Sequence, residues 1–297
     1  MLSSKYSIKN NSKSFFFASI FLNKEAFTDC SNLYKFCRYV DDIVDENYDN
    51  KRKIIYGLER SLKKNTYKKT LSIFSLIKKK TIRIENVLEL IQGVKLDLEN
   101  TPIKKKSDLI NYSYLVAGSV GIMMCDILKC KEKYAYNFAV DLGIAMQLTN
   151  IARDILEDAK IGRIYIPKSW LNVNCLEISK LSDKSMADLR LVTKRIIILS
   201  EEYYSSAMKG LAFLPLRARY AILISLKLYR QIGIKILNKN CSNLIYREKI
   251  SFLEKVICLI KCTAIFILDP NLHIRKYNHK ISLHKYLQKY FFFSQMK

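Results

Sequence analysis

Two short segments carry carboxylates at a spacing that folding alone does not ask for. The first is Y-K-F-C-R-Y-V-D-D-I-V-D-E, residues 34–46, and the second is N-I-A-R-D-I-L-E-D, residues 150–158. Asp41 and Asp45 are four residues apart, as are Asp154 and Asp158. On a helix such residues share one face, so each segment sets two like charges side by side. That arrangement weakens a helix modestly. A hard divalent cation favours it, because Mg²⁺ takes oxygen ligands and commonly shares them with substrate phosphates. Two such pairs, each with a basic residue close by, suit a site that ionises a diphosphate ester.

In the first segment Asp41 and Asp45 are the candidate metal ligands, while Asp42 points about 100° round the helix. Arg38 lies three residues before Asp41 on nearly the same face. Its guanidinium fork suits a diphosphate oxygen and can also neutralise an aspartate. Phe36, Val40, Ile43 and Val44 make the rest of this helix apolar, which argues against an ordinary salt-bridged surface helix. In the second segment Asn150, Asp154 and Asp158 recur at four-residue steps and predict one polar stripe, extended backwards by Gln147 and Gly143. Ile144, Met146, Leu148, Ile151 and Ile155 fill the other faces. A polar stripe inside an apolar helix needs partners, since buried charge without pairing is costly. Arg153 can pair with Asp154 or reach phosphate.

Helical periodicity dominates the elements that must carry these residues. Helices are predicted over residues 27–44, 54–62, 71–80, 84–98, 108–116, 123–128, 133–158, 184–211, 215–237 and 247–268. Ser107 is positioned to cap the helix that starts near Asp108. The small-residue run A-G-S-V-G, residues 117–121, either breaks a helix or lets another group approach the backbone closely. Gly162 and Pro167 mark a loop, G-R-I-Y-I-P. No alternating strand, internal repeat or flexible linker is evident. The expectation is one all-α domain over residues 1–297, with a basic, aromatic tail after Asp269-Pro270.

Composition agrees. The chain has 297 residues, nearly half of them hydrophobic, with only 8 Gly and 4 Pro, a scarcity of breakers that suits long helices. The net charge of +24 attracts polyanions, yet the lysines are scattered rather than patterned. Eight cysteines show no metal-ligand spacing and imply a reduced, cytoplasmic protein. The first ten residues lack the apolar core of a signal peptide. The longest apolar stretches, residues 15–22 and 256–268, are too short to span a bilayer. Peripheral contact with a membrane is expected, since a basic surface suits anionic lipid.

These motifs resemble the squalene/phytoene synthase family of class I isoprenoid synthases, in its bacterial phytoene-forming version. The resemblance runs from S-K-S-F-F-F-A, residues 12–18, to R-A-R-Y-A-I, residues 217–222, and weakens beyond about residue 238. Its most specific stretch is Q-L-T-N-I-A-R-D-I-L-E-D-A-K-I-G-R-I-Y-I-P, residues 147–167. Y-S-Y-L-V-A-G-S-V-G, residues 112–121, matches the family pattern with Ser113 and Leu115 as departures. The resemblance implies a helical bundle around a central cavity. It implies that Asp41, Asp45, Asn150, Asp154 and Asp158 hold Mg²⁺, or Mn²⁺ in its place. Arg38, Arg153 and Gln147 would contact diphosphate, and Ser12 and Ser14 would cover it. Tyr112, Tyr165 and Tyr229 would line the reacting centre. The implied reaction joins two geranylgeranyl diphosphates head to head, through a cyclopropyl diphosphate, to phytoene, without NADPH.

The nearest rival is squalene or dehydrosqualene synthesis from farnesyl diphosphate on the same fold. Head-to-tail prenyltransferases share D-D-x-x-D but repeat it, where this chain has N-x-x-x-D-x-x-x-D. Terpene cyclases carry Ser or Thr where Asp154 stands. A basic helical module for nucleic acid or membranes is a reading of another class. It would cluster its charges in a Lys/Arg stripe, and acidic stripes would repel phosphate. No nucleic-acid partner is expected, and the oligomeric state is left open.

Overall fold

The computed structural model describes residues 17–45, 50–69, 71–171, 183–241, 244 and 247–295. Ser12 and Ser14 lie outside them. No strand occurs among the described residues. The helices are α1 Lys24–Asp45, α2 Lys51–Lys63, α3 Phe74–Lys78, α4 Ile84–Leu98, α5 Lys106–Ser113, α6 Ser119–Ile127, α7 Ala135–Lys160, α8 Asp183–Gly210, α9 Leu216–Asn238, α10 Phe252–Leu268 and α11 Phe291–Ser294. Each predicted helix is present, with ends moved by a few residues. The third shrinks to five residues, because Lys78, Lys79 and Lys80 have no core to face and are exposed.

Amphipathic spacing explains the packing. On α1 the buried residues Cys30, Leu33, Phe36, Val40, Ile43 and Val44 follow the helical repeat. The long α7 is the central element, with α6, α8 and α9 packed around it. It is buried on several sides, which matches its weakly amphipathic, mostly apolar sequence. The start of α5 departs from expectation. Ser107 does not cap it; the Asp108 carboxylate reaches back instead and accepts the N–H groups of Lys104 and Lys105 at 3.0 and 3.1 Å.

The A-G-S-V-G run does not break the chain direction. Tyr114–Gly118 forms a π-helical turn that joins α5 to α6. The glycines serve close approach: a Cβ on Gly121 would lie 2.3 Å from the Ala139 carbonyl oxygen, and one on Gly143 would lie 2.3 Å from that of Ala117. The two backbones therefore cross in direct contact. The stretch Lys106–Ile127 is long and apolar enough to span a membrane by composition, but 61% of its most apolar window is buried inside the bundle. Packing against α7 accounts for that apolarity.

The tail after Asp269-Pro270 forms only short helical turns, at Pro270–Leu272, Ile281–His284 and α11, yet its aromatic residues enter the core. Tyr290 stacks on Tyr114 with ring centroids 4.5 Å apart. Glu89 accepts from the Tyr114 hydroxyl at 2.6 Å and from the Phe291 N–H at 2.9 Å, so one buried carboxylate ties α4, the π turn and the tail together.

The glycine contacts set a test. Gly143→Val should lower the unfolding free energy by about 3 kcal/mol or more, because backbone must move to admit the side chain. Gly57→Ala, where a Cβ meets nothing within 4 Å, should instead raise it by up to ~1 kcal/mol through helix propensity. Urea unfolding of both variants checks the contrast.

Candidate active site

Helices α1 and α7 carry the site in the same order. On α1, Cys30, Leu33, Tyr34 and Cys37 line an apolar cavity, and Asp41 and Asp45 follow on the next turns. On α7, Ala135, Ala139, Leu142, Met146 and Asn150 line the same cavity, and Asp154 and Asp158 follow. The cavity measures about 300 Å³. From Ala135 to Asn150 its wall extends about 22 Å along α7 at 1.5 Å per residue. Gln147, expected at the diphosphate, and Tyr229, expected at the reacting centre, both line this cavity.

The carboxylates gather where helices end. Asp45 closes α1, Asp97 lies one residue from the end of α4, and Asp158 lies in the last turn of α7. These are the negative ends of helix dipoles, where further negative charge is unfavourable. Burial, then the Asp45 charge, pushes Asp41 up to about 7 against the opposing Arg38 guanidinium. The Asp41 side chain is 48% accessible, so solvent screens part of that effect. Burial and the Asp154 charge likewise raise Asp158 to about 7, with Arg163 pulling the other way. Burial raises Asp97 to about 6 despite Arg163 and two tyrosine hydrogen bonds.

Four arginines hold this acidic cluster together. Arg38 pairs with Asp41 at 2.9 Å and with the buried Asp42 at 2.5 Å. Arg163 pairs with Asp45. Arg153 grips Asp154 with two bonds, 2.7 and 2.6 Å, and Arg247 adds two at 3.1 Å. The straight polar stripe predicted for Asn150, Asp154 and Asp158 needs correcting. Asp154 is non-helical, at φ −108° and ψ 16°, so α7 kinks within the stripe. The two arginines hold its carboxylate at that kink.

Tyr112 and Tyr165 meet beside the acids rather than in the wall of the apolar cavity. Their rings stack at 4.7 Å, and both hydroxyls donate to Asp97, each at 2.9 Å. Burial, together with the Asp97 charge, raises both phenols and keeps them neutral. Three members of this site have no role in the sequence reading: Asp97, Arg163 and Arg247. Asp97 is an acid within an apolar helix, L-D-L, a signal that goes unused. Arg163 stands inside G-R-I-Y-I-P. Arg247 lies beyond the motifs that carry the resemblance, and no local pattern marks it.

A cluster of carboxylates raised by burial and by one another's charge has the donor set of a hard cation site, and an apolar cavity beside it suits a hydrocarbon. The family model for squalene/phytoene synthase matches residues 8–254. The chain belongs to the squalene/phytoene synthase family. A 15-cis-phytoene synthase of Enterobacter agglomerans is 32% identical, covering 85% of this chain and 91% of the relative. Another from Paracoccus sp. strain N81106 is 31% identical over 84% of this chain and 86% of the relative. Among solved structures, a dehydrosqualene synthase with bound ligand superposes with a TM-score of 0.76 at 25% identity, covering 88% of this chain and 94% of its own. A squalene synthase from Alicyclobacillus acidocaldarius, at 19% identity and TM-score 0.65 over 80% and 92%, shares the fold. The all-α isoprenoid synthase fold expected from the motifs is thus established, and the chain is a prenyltransferase of this family. The family uses prenyl diphosphates and generally depends on a divalent metal.

The raised carboxyls predict a pH dependence. Asp41, Asp97 and Asp158 hold protons in the folded chain that the unfolded chain releases from a carboxyl near 3.8. Metal-free stability should therefore fall as pH rises from about 4 to about 7. Mg²⁺ competes with those protons, so the gain in melting temperature on adding Mg²⁺ should be larger at about pH 8 than at about pH 5. Differential scanning fluorimetry at the two pH values measures it; an equal gain at both would contradict the proton linkage.

Proposed function

We propose that this chain is a phytoene synthase, joining two molecules of geranylgeranyl diphosphate head to head and releasing two diphosphates. The observation that carries the proposal is the serial arrangement of an apolar cavity and two acid pairs on α1 and α7. It is supported by the 15-cis-phytoene synthases that match most of the chain. Asp41, Asp45, Asn150, Asp154 and Asp158 would hold Mg²⁺, with Mn²⁺ as a substitute. When bound, the metal supplies positive charge to the departing diphosphate.

The remaining chemistry belongs to the chain. Arg38, Arg153, Arg163 and Arg247 are paired with aspartates and exchange them for phosphate oxygens as substrate arrives, so charge stays balanced. Gln147 and Asn150 place the diphosphate at the cavity mouth. The C1–O bond of one substrate breaks, the electron pair leaving with diphosphate, and the 2,3-double bond of the second attacks the allylic cation. Proton loss closes a cyclopropane. The second diphosphate then leaves, the skeleton rearranges, and a further proton loss forms the central double bond. Diphosphate is the base. The stacked faces of Tyr112 and Tyr165, and Tyr229 at the cavity wall, stabilise the cations, while Asp97 restrains two of the hydroxyls. The apolar wall excludes water that would quench a cation to an alcohol.

Purified protein with Mg²⁺ and geranylgeranyl diphosphate should yield a C40 hydrocarbon without NADPH. Asp41→Ala or Asp154→Ala should lower kcat by at least about 10³-fold with helix content unchanged. Turnover of farnesyl diphosphate alone would move the assignment to squalene or dehydrosqualene synthesis. Full activity in either variant would remove the metal site.

The enzyme works at a membrane surface, peripherally. Support comes from the exposed stripe Leu253, Ile257, Ile260, Ile267 and Leu268 on α10, beside exposed Lys261 and Lys276. The protein should co-sediment with phosphatidylglycerol vesicles and less with phosphatidylcholine ones. The triple variant Leu253→Asp, Ile260→Asp, Ile267→Asp should lose that binding; unchanged sedimentation would rule the stripe out.

A further inference from the structure

All three histidines of this chain fall within twelve residues of the C-terminal tail, at positions 273, 279 and 284. Two of them converge on one aspartate of α7. His279 Nε2 lies 2.8 Å from one oxygen of Asp141, and His284 Nε2 lies 2.7 Å from the other. The carboxylate is 0% exposed and the imidazoles are 2% and 3% exposed. One ligand atom from each residue lies within 4.8 Å of the others. Asp141 does not line the apolar cavity, and it precedes Asp154 by about 20 Å along the helix. The cluster is therefore separate from the acidic site.

Helix packing gives no reason for a charge at this depth of α7, where Val140, Ile144 and Ala145 are all buried. Two imidazole nitrogens and a carboxylate thus converge in the core, one nitrogen against each carboxylate oxygen. Imidazole nitrogen and carboxylate together form a donor set for Zn²⁺ and similar first-row cations. Mg²⁺ prefers oxygen ligands throughout. We propose that Asp141, His279 and His284 form a second metal site, which takes Zn²⁺ or a like transition-metal cation through two Nε2 atoms and one carboxylate oxygen. For Nε2 to ligate, its proton moves to Nδ1, or leaves to solvent from an imidazolium, so both rings bind as neutral imidazoles beside one carboxylate and the site carries +1 less the charge of any further ligand. The site is structural: it fastens the tail to α7, where the Tyr134 hydroxyl already accepts from the His279 N–H at 2.7 Å and the Tyr203 hydroxyl donates to the Leu283 carbonyl at 3.0 Å.

Co²⁺ is the probe, added to the full chain after chelator treatment under reducing conditions with Mg²⁺ in large excess. One equivalent should give the intense visible bands of a low-coordinate nitrogen–oxygen site, and one equivalent of Zn²⁺ should abolish them. Zn²⁺ should also raise the melting temperature by several degrees. His284→Ala should lose both responses; Asp41→Ala should keep them. The wild-type spectrum decides the matter even if His284→Ala fails to fold. Only the weak bands of a six-coordinate oxygen site, or the near-ultraviolet charge-transfer bands of thiolate ligation, would overturn the proposal, as would full retention of the visible bands in a folded His284→Ala.

Discussion

Negative charge gathered at the negative ends of three helices is the interaction on which this structure turns. Asp45, Asp97 and Asp158 each lie in the last turn of a long helix, with Asp41 one turn back from the first. No favourable term of helix formation places them there. Protons and arginines share the neutralisation of the cluster: Arg38, Arg153, Arg163 and Arg247 each hold an aspartate, and three carboxyls are raised toward neutrality. Bringing α1, α4 and α7 together at this point thus depends on hydrophobic packing further along the same helices. The proposed cation and diphosphate would relieve that unfavourable assembly.

Much of this was legible in the sequence, for a physical reason. Asp41, Asp45, Asn150, Asp154 and Asp158 stand at helical spacing inside otherwise apolar helices, so pattern alone isolates them. Long helices were legible because breakers are few and apolar residues recur at three and four. The kink at Asp154 was not, since it arises from two arginines gripping a single carboxylate, one of them 93 residues away. Asp97 has no second acid at helical spacing, and its meaning comes from Tyr112 and Tyr165, which reach it from other elements. The packing of the tail was equally hidden. Its anchors, Glu89 and Asp141, belong to helices far back in the chain.

Glycines at the crossing of α6 and α7 serve the cavity as well as the packing. By letting two backbones touch, Gly121 and Gly143 remove side-chain thickness on one side of α7. Both also line the cavity, together with Ala117 and Ala139. Small residues therefore do two things at once here: they close the bundle tightly and leave an open space beside the contact. Larger side chains would separate the helices while filling the space between them.

The serial layout of α7 has a further consequence. Its cavity residues, from Asn150 back through Met146, Leu142 and Ala139 to Ala135, succeed one another about one turn apart, with the carboxylates fixed beyond the first. One helical turn rises about 5.4 Å, close to the length of an extended isoprene unit. The helix is thus a graduated ruler with its zero at the carboxylate end, and each lining residue is a mark about one isoprene length deeper. Under the proposed function, a single bulky side chain at one mark would set the longest chain admitted, so hydrocarbon length would drift by whole isoprene units while the carboxylates stay untouched.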